Sequence, residues 1–226
     1  MGYKEYNEKL FSRWAPIYDG FELILSGIRK KIVVQINSEN KSVLDVATGT
    51  GSLAIELGKH AENVVGIDLS DKMLEFAKKK SHNPNVTFKE MDASKMDFQD
   101  GTFDIVTISL GLHDMPKEVR DAVLKETKRV LKPNGQLFIL EHDLPRNKLV
   151  ASISATMIDT FESKYFLPFV QSDFQSYLRS FDFKIKKRTP FLFGHLQFIE
   201  LSNWATTCEP EMCGITGAYA FTAEGK

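Results

Sequence analysis

The sequence predicts an α/β protein built on an open, mostly parallel sheet, and three observations carry this. The stretch Ser42–Ala54, SVLDVATGTGSLA, sets a short β-branched apolar run ahead of a Thr-Gly-Thr-Gly turn. An apolar-periodic segment that reads as a helix (Leu53, Ile55, Leu57) follows at once. A buried strand, a glycine turn and a helix N-terminus in that order form the nucleotide-binding corner of an open α/β sheet. Further short strands, Asn63–Asp68 and Phe103–Ser109, alternate with helical patterns, and Gln136–Glu141 is the near-continuous apolar run of a parallel strand buried on both faces.

The chain has 226 residues, which fits one domain with a sizeable core. Its formal net charge of −1 argues against a general polyanion binder or an anionic-membrane protein. No signal-peptide core and no apolar stretch of membrane-spanning length occur, so a transmembrane segment is not expected. The two cysteines, Cys208 and Cys213, suit a reducing cytoplasm, and their spacing is a poor zinc signature, so free thiols and no metal site are expected.

In chain order, residues 1–40 read as an N-terminal helical lid. It breaks at Trp14-Ala15-Pro16-Ile17-Tyr18-Asp19-Gly20, and its apolar face runs from Phe21 to Ile36. After the glycine corner, strand two ends in Asp68, about twenty residues beyond the glycines, where an acid can accept both ribose hydroxyls. Ser70 and Asp71 supply the cap and first-turn acid of the next helix, so Asp68 is not needed there. Leu69 and Met73 then wall an adenine. Strand three, Val86–Glu90, leads to Asp92 and Ala93, a carboxylate and a backbone N–H suited to the adenine edge.

Strand four ends in Ser109-Leu110-Gly111-Leu112-His113-Asp114-Met115-Pro116, a loop expected to face the reacting group. Asp114 reads as a cap for the helix that Pro116 opens, and His113 has the near-neutral reference pKa of a base. The helix Lys117–Leu131 stops at Lys132-Pro133-Asn134-Gly135. Residues 142–170, rich in aromatics, read as a substrate cover. A helix over Ser172–Phe181 precedes two antiparallel strands, Phe183–Thr189 and Leu192–Leu201, with Pro190 in the link. Residues 208–226 read as an irregular tail.

Charge decides what the corner holds. A pyrophosphate wants only N–H groups and the positive helix end. Asp45, just before the glycines, would repel it and suits a ligand that brings a cation there. S-adenosylmethionine (SAM), with an ammonium and a sulfonium and no phosphate, is that ligand. Asp45, Ala47, Thr48, Gly49 and Gly51 are the expected contacts.

The segments DVATGTG, GIDLS, MDASKMDFQDGTFDIV and RVLKPNGQLFILEH together resemble the class I SAM-dependent methyltransferases, and FSRWAPIYDGF is similar to the start of the ubiquinone/menaquinone-biosynthesis branch. The resemblance implies a Rossmann-like seven-stranded sheet with one antiparallel edge strand and helices on both faces. It places Asp45, Gly49 and Gly51 at the methionine part, Asp68 at the ribose, Asp92 and Ala93 at the adenine, and Ser109 and Leu110 at the methionine-side backbone. Tyr18 would close over the cofactor. That branch usually shows a segment like FGIRN after strand four, where this chain has LGLHDM.

Methyl transfer needs a base only where the acceptor arrives protonated. His113 is the first candidate, followed by Tyr18 and Glu141. The expected acceptor is a small aromatic or lipid-like molecule, a quinone precursor among them, with S-adenosyl-L-homocysteine as co-product. A small amine, phospholipid headgroup or thiol is the alternative, and a SAM-binding interaction module is the non-enzyme reading. A nicotinamide-dependent oxidoreductase is opposed by Asp45. Nucleic acid is not expected as a partner, and a homodimer is left open.

Overall fold

The computed structural model describes residues 25–145 and 163–203. Helix α1 (25–35) leads into β1 (Ser42–Val46), α2 (Ser52–Leu57), β2 (Asn63–Asp68), α3 (Asp71–Lys80), β3 (Val86–Glu90) and β4 (Phe103–Ser109). A 3-10 turn (Leu112–Asp114), α4 (Lys117–Val130) and β5 (Leu131–His142) follow. The remaining elements are α5 (Phe166–Val170), α6 (Phe174–Arg179), β6 (Phe183–Phe191) and β7 (Leu196–Asn203).

The seven strands lie in the order β3-β2-β1-β4-β5-β7-β6. Strands β1 to β5 pair in parallel, while β7 runs antiparallel to both β5 and β6. The expected mixed Rossmann-like sheet is therefore present, with its antiparallel strand one place in from the β6 edge. Alternate residues of the central strands feed two cores. Val43, Val64 and Ile105 pack with Leu25, Ile28, Ile32 and Ile36 of the first helical segment and with Leu53 and Leu57 of α2. Leu44, Val106 and Ile108 pack with Val123 and Leu124 of α4 and with Phe166, Phe169, Phe174 and Leu178. The central parallel strands β1, β4 and β5 are covered on both faces, which is why they read as apolar runs, whereas the edge strand β3 is largely exposed.

Strands β2, β3 and β4 have the expected limits. Three expectations need correction. Helix α4 ends at Val130, and Leu131 already pairs with Phe103, so β5 begins before the Lys132–Gly135 turn instead of after it. Asn134 does take the left-handed conformation (φ 63), but as part of the register shift rather than of a helix stop. Pro190 lies inside β6, paired with Gln197, and the link is the turn Leu192–Gly194. An edge strand tolerates proline because one of its sides has no ladder to break. The helix expected over Ser172–Phe181 is shorter, Phe174–Arg179, with Asp173 accepting from Ser176 N at its start. Trp14, Tyr18, Met157, Phe161, Cys208 and Cys213 lie outside the described residues. Among the described residues no helix is long and apolar enough to cross a membrane.

Gly51 and Gly66 are fixed by Phe88. A Cβ on Gly51, whose φ is 73, would sit 2.6 Å from Phe88 Cζ, and one on Gly66 would sit 2.7 Å from Phe88 Cδ1. Gly51→Ala therefore adds both a left-handed alanine and a steric clash, and is expected to cost about 2–4 kcal/mol. In a Phe88→Leu background the added cost should be smaller, because the clash is with that ring. Urea unfolding of the four-member cycle measures both terms.

Candidate functional site

The sheet order reverses at β1, with β2 on one side and β4 on the other, so a crevice opens outside the carboxyl ends of these strands. A cavity among the described residues lies there. Of the expected cofactor contacts, Asp45, Ala47, Thr48, Gly49, Asp68, Leu69, Met73, Asp92, Ala93, Ser109 and Leu110 all line it. Gly51 does not: it is the residue before α2, held by backbone conformation and by Phe88. Tyr18 falls outside the described residues.

Asp45 is 1% exposed. Its two carboxylate oxygens accept hydrogen bonds from hydroxyls, Thr48 Oγ1 and Thr107 Oγ1, each at 2.6 Å. Burial raises its pKa to about 6, a rise that the nearby charge of Asp68 reinforces and these hydroxyls only partly offset. Asp68 bridges the corner, with Oδ2 accepting from Gly49 N and Oδ1 from Ser70 N, each at 2.9 Å. Burial raises its pKa against those backbone donors. Ser70 caps α3 through Met73 N, so Asp68 is left to the loops as expected. Asp92 closes its own turn, accepting from Ser94 N and Oγ.

Two strand ends are strained. Ala47 after β1 and Leu110 after β4 both take positive φ (54 and 53) and both line the cavity. Left-handed non-glycine residues cost roughly 1–2 kcal/mol each, and such outliers cluster at functional sites. The two turns touch: a Cβ on Gly111 would lie 3.0 Å from the Ala47 Cβ. Sequence reasoning missed this pair, since nothing in an alanine or leucine announces a left-handed turn. It also missed Leu25, Arg29, Met91, Val119 and Val123, which join the lining. Arg29, a cation beside the apolar face of the first helix, was the one legible signal among them.

The expected base, His113, does not line this cavity. It is 3% exposed and lies behind the wall, held on both sides. Glu141, at the end of β5, accepts from His113 N at 3.0 Å and meets Nδ1 at 2.7 Å, while Nε2 faces Asp114 Oδ2 at 3.3 Å. Burial alone would lower the imidazole's pKa, but the charges and hydrogen bonds of Asp114 and Glu141 raise it well above the usual value. Both carboxylates are in turn lowered, against burial, chiefly by the charge of His113. With one ring nitrogen facing Glu141 and the other Asp114, and its pKa raised, His113 is not free to act as a base from the cavity, and it lies with Glu141 behind the wall. Nor is Asp114 a helix cap, since α4 starts at Pro116 without a side-chain cap.

A family model described as a methyltransferase domain matches residues 43–135. The demethylmenaquinone methyltransferase of Thermotoga maritima is 37% identical over 186 residues, 77% of this chain and 78% of that protein. The enzyme of the same name from Lactobacillus johnsonii is 40% identical over 154 residues, 62% of each chain. The chain thus spans less than two thirds of the length of that relative. A SAM-dependent methyltransferase structure from Aquifex aeolicus superposes with a TM-score of 0.57 at 19% identity, covering 77% of this chain and 88% of that one.

The chain belongs to the class I SAM-dependent methyltransferases. Within that superfamily its relatives place it in the UbiE branch, whose members include the ubiquinone/menaquinone biosynthesis C-methyltransferase of Pseudomonas putida, 34% identical over 156 residues, 63% of this chain and 60% of that protein.

The residues present fit SAM. The buried Asp45 offers a negative site at the cavity wall, and the strand-two acid Asp68 lines the same cavity. A cation beside Asp45 favours its ionised form, whereas without one its pKa of about 6 leaves the carboxyl protonated on the acid side. SAM affinity should therefore be highest near neutrality, because the α-ammonium of SAM itself loses its proton above about pH 8. It should weaken roughly tenfold between about pH 7 and about pH 5. Asp45→Asn should bind more weakly and flatten that profile. Calorimetry across the range checks both.

Proposed function

We propose that this protein transfers the methyl group of SAM to a small aromatic acceptor of the quinone-precursor type. The observation that carries it is the buried Asp45, held by two hydroxyls at the wall of a cavity flanked by Gly49 and Asp68. That environment is built for a cation and opposes a pyrophosphate. The names of the relatives support the acceptor class. The two-cysteine composition supports a reducing, cytoplasmic setting.

SAM would supply an activated methyl on a positive sulfur; the ring C–C bond forms as the S–C bond breaks, and the displaced ring proton is released to solvent. What the protein adds is largely positioning. Asp45 holds the ammonium side, Asp68 the ribose, Asp92 and Ala93 the adenine edge, and Arg29 the carboxylate. The strained turns at Ala47 and Leu110 bring backbone close to the methionine part. Met115, Val119 and Val123 give an apolar wall, where exclusion of water favours a transition state in which charge leaves the sulfur.

Asp68→Ala removes charge-assisted hydrogen bonds and is expected to weaken SAM binding about tenfold or more. Unchanged affinity by calorimetry would remove Asp68 from the site. The function is tested by incubation with methyl-labelled SAM and a reduced 1,4-naphthoquinone acceptor. Label should appear in the naphthalene product by mass spectrometry, with S-adenosylhomocysteine formed in equal amount. No transfer to that ring, with transfer to an amine or thiol from a fractionated extract, would replace this acceptor class.

A further inference from the structure

The wall at the end of β4 carries a charged cluster that the cofactor does not need. Glu141 fastens the 3-10 turn through His113 N and Nδ1, and His113 Nε2 faces Asp114 Oδ2. The ring of His142 meets His113 edge-on at a centroid distance of 4.6 Å, and Phe166 and Phe169 close the far side at 6.0 and 6.4 Å. The charge of His142 also acts on both carboxylates, and the Ser163 hydroxyl on that of Asp114. Of these groups, Asp114 belongs to the cavity lining, between Gly111 and Met115.

Asp114 is 6% exposed, and its Oδ1 is buried without a hydrogen-bond partner. An unmet oxygen on a buried carboxylate is costly to the fold, more so than an unmet neutral group. His113, held from behind by Glu141, nevertheless lowers the pKa of this carboxylate against the effect of its burial. Such an arrangement, at a cavity wall, fits a ligand that brings its own donor.

We propose that Asp114 reads the methyl acceptor: its carboxylate accepts a hydrogen bond from a hydroxyl on the acceptor ring, with His113 and Glu141 as positioning residues. This rests on the methyltransferase reading above and narrows it to acceptors that present a ring O–H. A ring whose hydroxyls are already methylated leaves the carboxylate unpaired and adds bulk against it, so the site discriminates against it. Polar sites of this kind reject the analogue lacking the donor more strongly than apolar sites sort by size. The proline-opened helix α4 and the β5 terminus hold the turn from both sides, so the discrimination is built into the scaffold.

The test is equilibrium binding of two matched rings to the full chain saturated with S-adenosylhomocysteine, under anaerobic conditions. The probes are 1,4-dihydroxynaphthalene and 1,4-dimethoxynaphthalene. The diol is expected to bind at least about tenfold more tightly. Asp114→Ala should bring the two within about threefold, while S-adenosylhomocysteine affinity stays as in the parent. His113→Gln should reduce the preference in the same direction. Equal binding of the two probes by the parent protein, no binding of the diol, or a preference kept in a folded Asp114→Ala protein would each overturn the proposal. Failure of the parent to bind S-adenosylhomocysteine would instead overturn the cofactor reading on which it rests.

Discussion

A carboxylate buried at the end of the first strand is the constraint that shapes this site. Taking Asp45 out of water is costly, and two hydroxyl hydrogen bonds offset only part of that cost, as its raised pKa shows. The hydroxyls fix its neighbours in turn. Thr48 must curl back from the glycine turn and Thr107 must rise on β4, which ties β1, the turn and β4 into one unit. Asp68 ties the other side by bonding Gly49 N and Ser70 N. The corner is thus organised before any ligand arrives, at an electrostatic cost that a cationic ligand can relieve.

The cavity holds its acids in two contrasting states. At the β1 and β2 ends, Asp45 and Asp68 sit close enough for the charge of one to raise the other, and burial raises both. At the β4 and β5 ends, Asp114 and Glu141 are lowered by a shared imidazolium. One end is therefore short of positive charge and the other has supplied its own. A ligand cation is drawn to the first end, and the second keeps a stable negative group facing an otherwise apolar stretch of wall. The same side-chain chemistry serves two purposes because the neighbours differ.

Much of the fold was legible in the sequence, since local patterns decide it. Strands β2, β3 and β4 follow from short apolar runs bounded by turns, and most of the expected cofactor contacts follow from their places just past strand ends. What was not legible depends on partners distant in sequence. His113 looks like a base until Glu141, far along the chain, takes its Nδ1. Asp114 looks like a cap because it precedes a helix, but α4 has no side-chain cap and one oxygen of this carboxylate meets the histidine instead. The placement of Pro190 was a local misreading: its turn propensity is real, but an unpaired strand edge removes the penalty. Gly51 was read as a ligand contact for its freedom of backbone, which the structure spends on α2 and Phe88 instead.

On the proposed reading, the LGLHDM segment changes the acceptor wall while the cofactor corner is kept. The corner is set by β1, β2 and the glycine turn, whose geometry depends on hydrogen bonds within those elements. The wall is set by a three-residue turn after β4, fastened to β5 by one glutamate. Replacing the residues of that turn alters the charge and donors facing the acceptor, provided Glu141 still has a donor to hold. His113 meets that requirement with its backbone N–H and its ring nitrogen together. The neighbouring position is then free to carry a carboxylate. The coupling between Glu141 and the turn is thus what lets acceptor recognition vary without disturbing the sheet beneath it.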